Sequence, residues 1–169
     1  MKATEIQKER NMSYFELCEY LKNKYGKVKE DYFLDSQCIH VNKGIKRSAE
    51  GLEIHHIKEA LPNVFDLSKS IQASNYPFEY QKSYNLCYCN LLEHLILHIL
   101  INIERSSNVE QAVIDGTFII MNRLDDLYEI STSLSKLQEN MLSPIKNNYT
   151  EYVEITNQWF DTMQHLLNS

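Results

Sequence analysis

Apolar residues in this chain recur at helical spacing over most of its length, and two short stretches depart from that period by alternating. Phe15, Leu17, Cys18, Leu21 and Tyr25 give one apolar side to a predicted helix. Ser13 and Glu16 form the capping-box pair that starts it, and Gly26 supplies the stop. Residues 1–12 are polar and read as a frayed or irregular arm. Residues 27–50 have no clear period. They read as irregular, with an aromatic pair at Tyr32 and Phe33 and a basic turn at Lys43-Gly44-Ile45-Lys46-Arg47.

Residues 51–57, Gly-Leu-Glu-Ile-His-His-Ile, alternate as a short strand does. Leu52, Ile54 and His56 point one way, and Glu53, His55 and Ile57 the other. A connection over about 58–83 follows, with Pro62, Pro77 and a short helix near 64–73. Asn85-Leu86-Cys87-Tyr88-Cys89 then reads as a second strand. Asn90 opens the clearest helix, with Glu93 three residues on. Leu91, Leu92, Leu95, Ile96, Leu97, Ile99, Leu100 and Ile101 make it apolar nearly all round, which predicts burial. Ser107 with Glu110 caps a further helix that bends near Gly116. Helical stretches over about 124–141 and 150–167 are separated by Pro144. On the last, Trp159, Phe160, Met163, Leu166 and Leu167 form an apolar stripe, read as core packing with a dimer contact left open.

With 4 Gly and 3 Pro in 169 residues, the chain has few turn-formers and is expected to be α+β and mostly helical. No apolar run is long enough to cross a bilayer, so no membrane partner is expected. The polar N-terminus (Lys2, Glu5, Lys8, Glu9, Arg10) argues against a secretory signal and for a cytoplasmic protein. Cys18, Cys38, Cys87 and Cys89 contain no C-x-x-C pair and are read as buried thiols. A net charge of -6 argues against a nonspecific coat on nucleic acid. The charge is uneven, however. Lys22, Lys24, Lys27, Lys29, Lys43, Lys46 and Arg47 precede the histidines, and such a patch can steer nucleic acid despite an acidic total.

Four of the 6 histidines fall in two short segments. His94 and His98, at i and i+4 on a helix, share one face and can reach one metal ion. A metalloprotease helix is excluded, because it needs a Glu directly after the first His and this chain has Leu95. His55 and His56, adjacent on a strand, face opposite sides. One can turn to a metal while the other addresses water or substrate. Asn85 can hydrogen-bond an imidazole or fix a loop. Glu53 and Glu59 read first as surface carboxylates, with support of an imidazole as the alternative. Tyr80, Tyr84 and Tyr88 read as packing residues before base-stacking ones.

Segments 51–57 and 85–98, the latter Asn-Leu-Cys-Tyr-Cys-Asn-Leu-Leu-Glu-His-Leu-Ile-Leu-His, resemble the HNH endonuclease motif of bacterial and phage proteins, in the variant ending Glu-His-x-x-x-His. The resemblance covers about a third of the chain, residues 51–103. It implies a ββα-metal core there, flanked by an N-terminal helix and basic connection over 1–50 and a helical extension over 104–169. It further implies His55, His94 and His98 as metal ligands, His56 as general base and Asn85 as the residue that orients the base and steadies its loop. The implied activity is hydrolysis of DNA, RNA not excluded, around one divalent ion (Mg, Mn, Ni or Zn). Activity is then lost at low pH, where His56 is protonated. Lys43, Lys46 and Arg47 become the expected nucleic-acid contacts. One active centre per chain cutting both strands favours a homodimer. The competing reading is a nuclease fold kept as a nucleic-acid- or protein-binding or inhibitory module.

Overall fold

In the computed structural model, residues 1–105, 116–129 and 133–167 are described, the side chains of 166 and 167 excepted. The chain is α+β and mostly helical. Its helices are α1 (Ala3–Arg10), α2 (Tyr14–Tyr25), a one-turn α3 (Ser70–Ala73), α4 (Leu91–Glu104), α5 (Thr117–Glu129), α6 (Lys136–Leu142) and α7 (Tyr149–Leu167). Two strands, β1 (Glu53–His56) and β2 (Leu86–Cys89), pair antiparallel, with His55 opposite Cys87 and His56 opposite Leu86. No helix among the described residues is long and apolar enough to cross a membrane.

The capping signals act as their chemistry requires. The Ser13 side chain accepts from the Glu16 amide while the Glu16 carboxylate accepts from the Ser13 amide, and Gly26 ends α2 at φ 84°. Asn90 and Glu93 exchange the same pair of bonds at the start of α4. Gly51 is required for a different reason: at φ 73°, a Cβ there would stand 2.2 Å from the Asn140 carbonyl oxygen on α6. The chain therefore enters β1 pressed against α6 backbone, which only glycine permits.

α4 is the axis of the molecule. Leu91, Leu92, Leu95 and Leu97 are fully buried, and the sheet, α1, α2, α5 and α7 all pack on this helix. One apolar cluster joins Ile6, Leu17, Leu21, Leu95, Leu124 and Trp159, so the N-terminal and C-terminal helices share the core of the segment between them. All four thiols are free and buried, as expected. On the C-terminal stripe Trp159 and Met163 are buried and Phe160 is exposed.

Three expectations fail. The N-terminal arm is a helix, because its two buried residues, Ile6 and Glu9, have partners only a folded chain supplies. The helix anticipated over 64–73 shortens to Ser70–Ala73, since Asn63 and Asp66 take positive φ and break its first turn. The stretch 124–141 is two helices, because Ser135 and Gln138 start α6 afresh with their own capping box. The helix start at Ser107 lies outside the described residues.

Glu9 shows what holds α1. Lys24 is 2.6 Å from Glu5, 3.1 Å from Glu9 and 2.5 Å from Glu93, so three carboxylates share one ammonium. Burial and then the Glu93 charge raise the Glu9 carboxyl to about 7, against the pull of Lys24. Between its unfolded value of 4.5 and about 7 the folded chain holds a proton that the unfolded chain releases. Stability from Glu9 is therefore full below that window and is lost as pH rises through it. Wild type is expected to lose about 2 kcal/mol relative to Glu9→Gln between pH 5 and pH 8. Urea unfolding of both proteins at the two pH values measures it; equal pH dependence would show that Glu9 stays ionised.

Candidate metal centre and its cleft

β1 and α4 deliver the three imidazoles. His55 points from β1 toward α4, whose i, i+4 spacing turns His94 and His98 to meet it. One nitrogen from each of His55, His94 and His98 lies within 4.8 Å of the others. Their ring centroids are 5.0–5.3 Å apart. Imidazole nitrogens around one tetrahedral ion at about 2.1 Å stand about 3.4 Å apart, so small side-chain adjustments bring these three onto a metal. His55 and His98 are buried and His94 is half-buried. Burial, followed by the neighbouring histidines, holds His55 well below the ordinary imidazole range, so it presents a neutral donor. Its Nδ1 is buried and has no hydrogen-bond partner among the described residues. Such an atom fits a metal ion, which would satisfy it.

The carboxylates around this centre are more than surface charge. Glu53 accepts a 2.9 Å hydrogen bond from His94 Nδ1, leaving His94 Nε2 for an ion. Both Glu53 oxygens also accept from Arg123 on α5. Burial would raise this carboxyl, but the bonds from His94 and Arg123 outweigh it and hold Glu53 at about 2. Glu59 accepts from the Leu67 amide at 2.7 Å and lies 3.9 Å from His98 Nε2. Burial raises Glu59 to about 7, the Leu67 bond opposing.

His56 turns away from the triad, as strand alternation requires. Its Nε2 donates to Gln81 Oε1 at 2.9 Å, and the Gln81 amide donates to Leu67 O at 3.2 Å. The glutamine oxygen only accepts, so His56 carries its proton on Nε2 and keeps a lone pair on Nδ1. Burial lowers His56 to about 4, the Gln81 bond opposing, so the ring is neutral near pH 7. Tyr32 packs edge-on against it at 4.5 Å between centroids.

Asn85 does not touch His56 by any hydrogen bond of its own. It sits in the turn before β2 and donates to Glu79 O at 2.8 Å, fixing the one-turn segment Phe78–Gln81 that carries Gln81. Gln81 is thus the direct partner, and Asn85 stands one step behind.

A cavity of about 240 Å³ opens beside the triad, lined in part by His56, Glu59, Asp66, His94, His98 and Arg123. A second, about 280 Å³, shares Ile54, Ser68, His94 and Arg123 with it and adds Lys46 and Tyr32, so the two form one cleft. Of the expected nucleic-acid contacts only Lys46 lines this cleft. Lys43 is exposed in a turn outside its lining. Arg47 is committed to the fold: it donates to Tyr25 O, pairs with Glu50 and lies over the Tyr88 ring. Lys24 is spent on its three carboxylates, and Lys22 on Glu19 and Tyr84 O. The cleft is lined also by Lys69, 2.7 Å from Asp66, and by Arg123, paired with Glu53, which composition gave no reason to choose. Tyr88 is buried with its hydroxyl on Ile45 O, and Tyr84 is exposed.

No family model, no curated protein and no solved structure matches the chain.

Proposed function

We propose that the chain is a metal-dependent endonuclease of the HNH kind, hydrolysing phosphodiester bonds in DNA. One observation carries the reading: three imidazoles from β1 and α4 converge within metal-binding distance, and a fourth, His56, lines the cavity beside them. The order strand, strand, helix around the centre is consistent with the ββα-metal core that the resemblance implies. The cavity also speaks against a closed structural metal site, which would leave no room for substrate.

His55, His94 and His98 would hold one divalent ion. Three imidazoles suit zinc, nickel or manganese better than magnesium, which prefers oxygen. The ion when bound supplies Lewis-acid stabilisation of the charge that develops on the phosphate and the leaving 3′-oxygen. His56 Nδ1, neutral near pH 7, takes the proton from the attacking water as general base. Gln81 holds that tautomer, and Asn85 holds the Gln81 turn. Lys46 offers positive charge to the substrate backbone along the cleft, with Lys69 and Arg123, paired with Asp66 and Glu53, beside it.

The test is supercoiled plasmid incubated with the protein and Mg²⁺, Mn²⁺, Ni²⁺ or Zn²⁺, with a chelator control and the His98→Ala variant. Nicking that needs metal and His98, leaving 5′-phosphate and 3′-hydroxyl ends, is expected. A protein that binds metal and DNA and never cuts would instead be a binding module on this fold.

A further inference from the structure

Tyr14, at the start of α2, lies outside the segments that carry the motif, yet it is fully buried against the metal centre. Its hydroxyl is 2.8 Å from His55 Nε2 and 3.0 Å from Ile57 O. We propose that Tyr14 is a positioning residue that sets the tautomer of His55 and so makes it an Nδ1 metal ligand. This rests on the metal centre of the reading above, and not on cleavage.

A phenol has one proton for these two neighbours, and the Ile57 carbonyl can only accept. If the phenol donated to His55, the carbonyl would face an oxygen lone pair at 3.0 Å with no proton between them. If it donates to Ile57 O, His55 Nε2–H donates into the phenol oxygen and both contacts are satisfied. Only the second arrangement leaves no repulsive pair in this buried spot, where no solvent makes up for an unmade bond. Nε2 then carries the proton, and Nδ1 keeps its lone pair. That nitrogen is the one that lacks a hydrogen-bond partner, on a ring 5.2 Å and 5.3 Å from His94 and His98.

The placement of Tyr14 is itself fixed from α4. Its backbone amide donates to Glu104 Oε1 at 3.0 Å, so the helix that bears His94 and His98 also seats the residue that orients His55. The centre becomes asymmetric. His94 gives its Nδ1–H to the Glu53 carboxylate and keeps Nε2 for the ion, whereas His55 gives its Nε2–H to a neutral phenol and keeps Nδ1.

Two measurements test this. In metal-free wild type, long-range proton–nitrogen correlation of the histidine rings is expected to show His55 protonated on Nε2 and bare on Nδ1. Protonation on Nδ1 would overturn the proposal, whatever a variant does. Second, Co²⁺ affinity and absorption spectrum are compared between wild type and Tyr14→Phe, with the metal-free thermal midpoint recorded for both. Affinity is expected to fall at least about tenfold, with a shifted cobalt spectrum. Equal affinity and spectrum, even in a less stable variant, would reduce Tyr14 to a packing residue and overturn the proposal. A wild type that binds no Co²⁺ would overturn the metal centre itself, a result distinct from failure of the tyrosine alone.

Discussion

His56→Ala is expected to cut DNA about two to four orders of magnitude more slowly than wild type while binding metal as well as it does. The expectation follows from the division of labour along β1. His55 faces the triad, and His56 faces Gln81, Tyr32 and the cavity. Removing His56 takes away the neutral nitrogen proposed as the general base, and none of the three imidazoles that converge as candidate metal ligands. The truncation also leaves Gln81 Oε1 without its donor and opens space beside Tyr32, at a cost of about 2–4 kcal/mol in stability. Rates should therefore be compared well below the melting temperature, with Co²⁺ affinity measured on the same samples. Single-turnover cleavage of a labelled duplex at saturating metal gives the chemical step. A rate within threefold of wild type would remove His56 from the role of base. Glu59, a half-buried carboxyl lining the same cavity and raised to about 7, would then be the residue to replace next.

The parts of this site that the sequence reveals are those whose geometry is local. The i, i+4 pair on α4 and the alternation on β1 place His94, His98, His55 and His56 without any tertiary information. Both capping boxes are equally local, since Ser13 with Glu16 and Asn90 with Glu93 satisfy amides within one turn. What escapes is whatever depends on distant segments meeting. Tyr14 is 41 residues from His55, Gln81 is 25 from His56, and Arg123 is 70 from Glu53. No periodicity links such pairs. Glu53 illustrates the loss best: as one acidic residue on a half-buried strand it reads as a surface charge, and only α4 and α5 supply the histidine and the arginine that keep it ionised. The same logic explains α1, whose composition is polar because its buried Glu9 is matched by Lys24 from α2 and not by an apolar stripe.

Glu53→Gln is expected to weaken metal binding about tenfold and Glu53→Ala about a hundredfold, the range found for partners of metal-bound histidines. Glutamine keeps an oxygen that can accept from His94 Nδ1–H, so His94 still presents Nε2. It loses the negative charge that makes the imidazole a stronger donor. Alanine loses both, and His94 is free to rotate or to change tautomer. Arg123 tells these effects apart. In wild type its guanidinium is engaged by both Glu53 oxygens while it lines both parts of the cleft. Without Glu53 it stands as an uncompensated positive charge beside the ion, which itself disfavours metal. Arg123→Leu should therefore restore part of the affinity in the Glu53→Gln background and lower it in wild type, where Glu53 needs that partner to stay fixed. Competition against a chromophoric chelator, run as a double-mutant cycle, reads the coupling directly. If Glu53 variants bind metal like wild type and only cleave more slowly, the carboxylate serves the arginine and not the histidine. Arg123 would then be the group whose position over the scissile phosphate the site is built to hold.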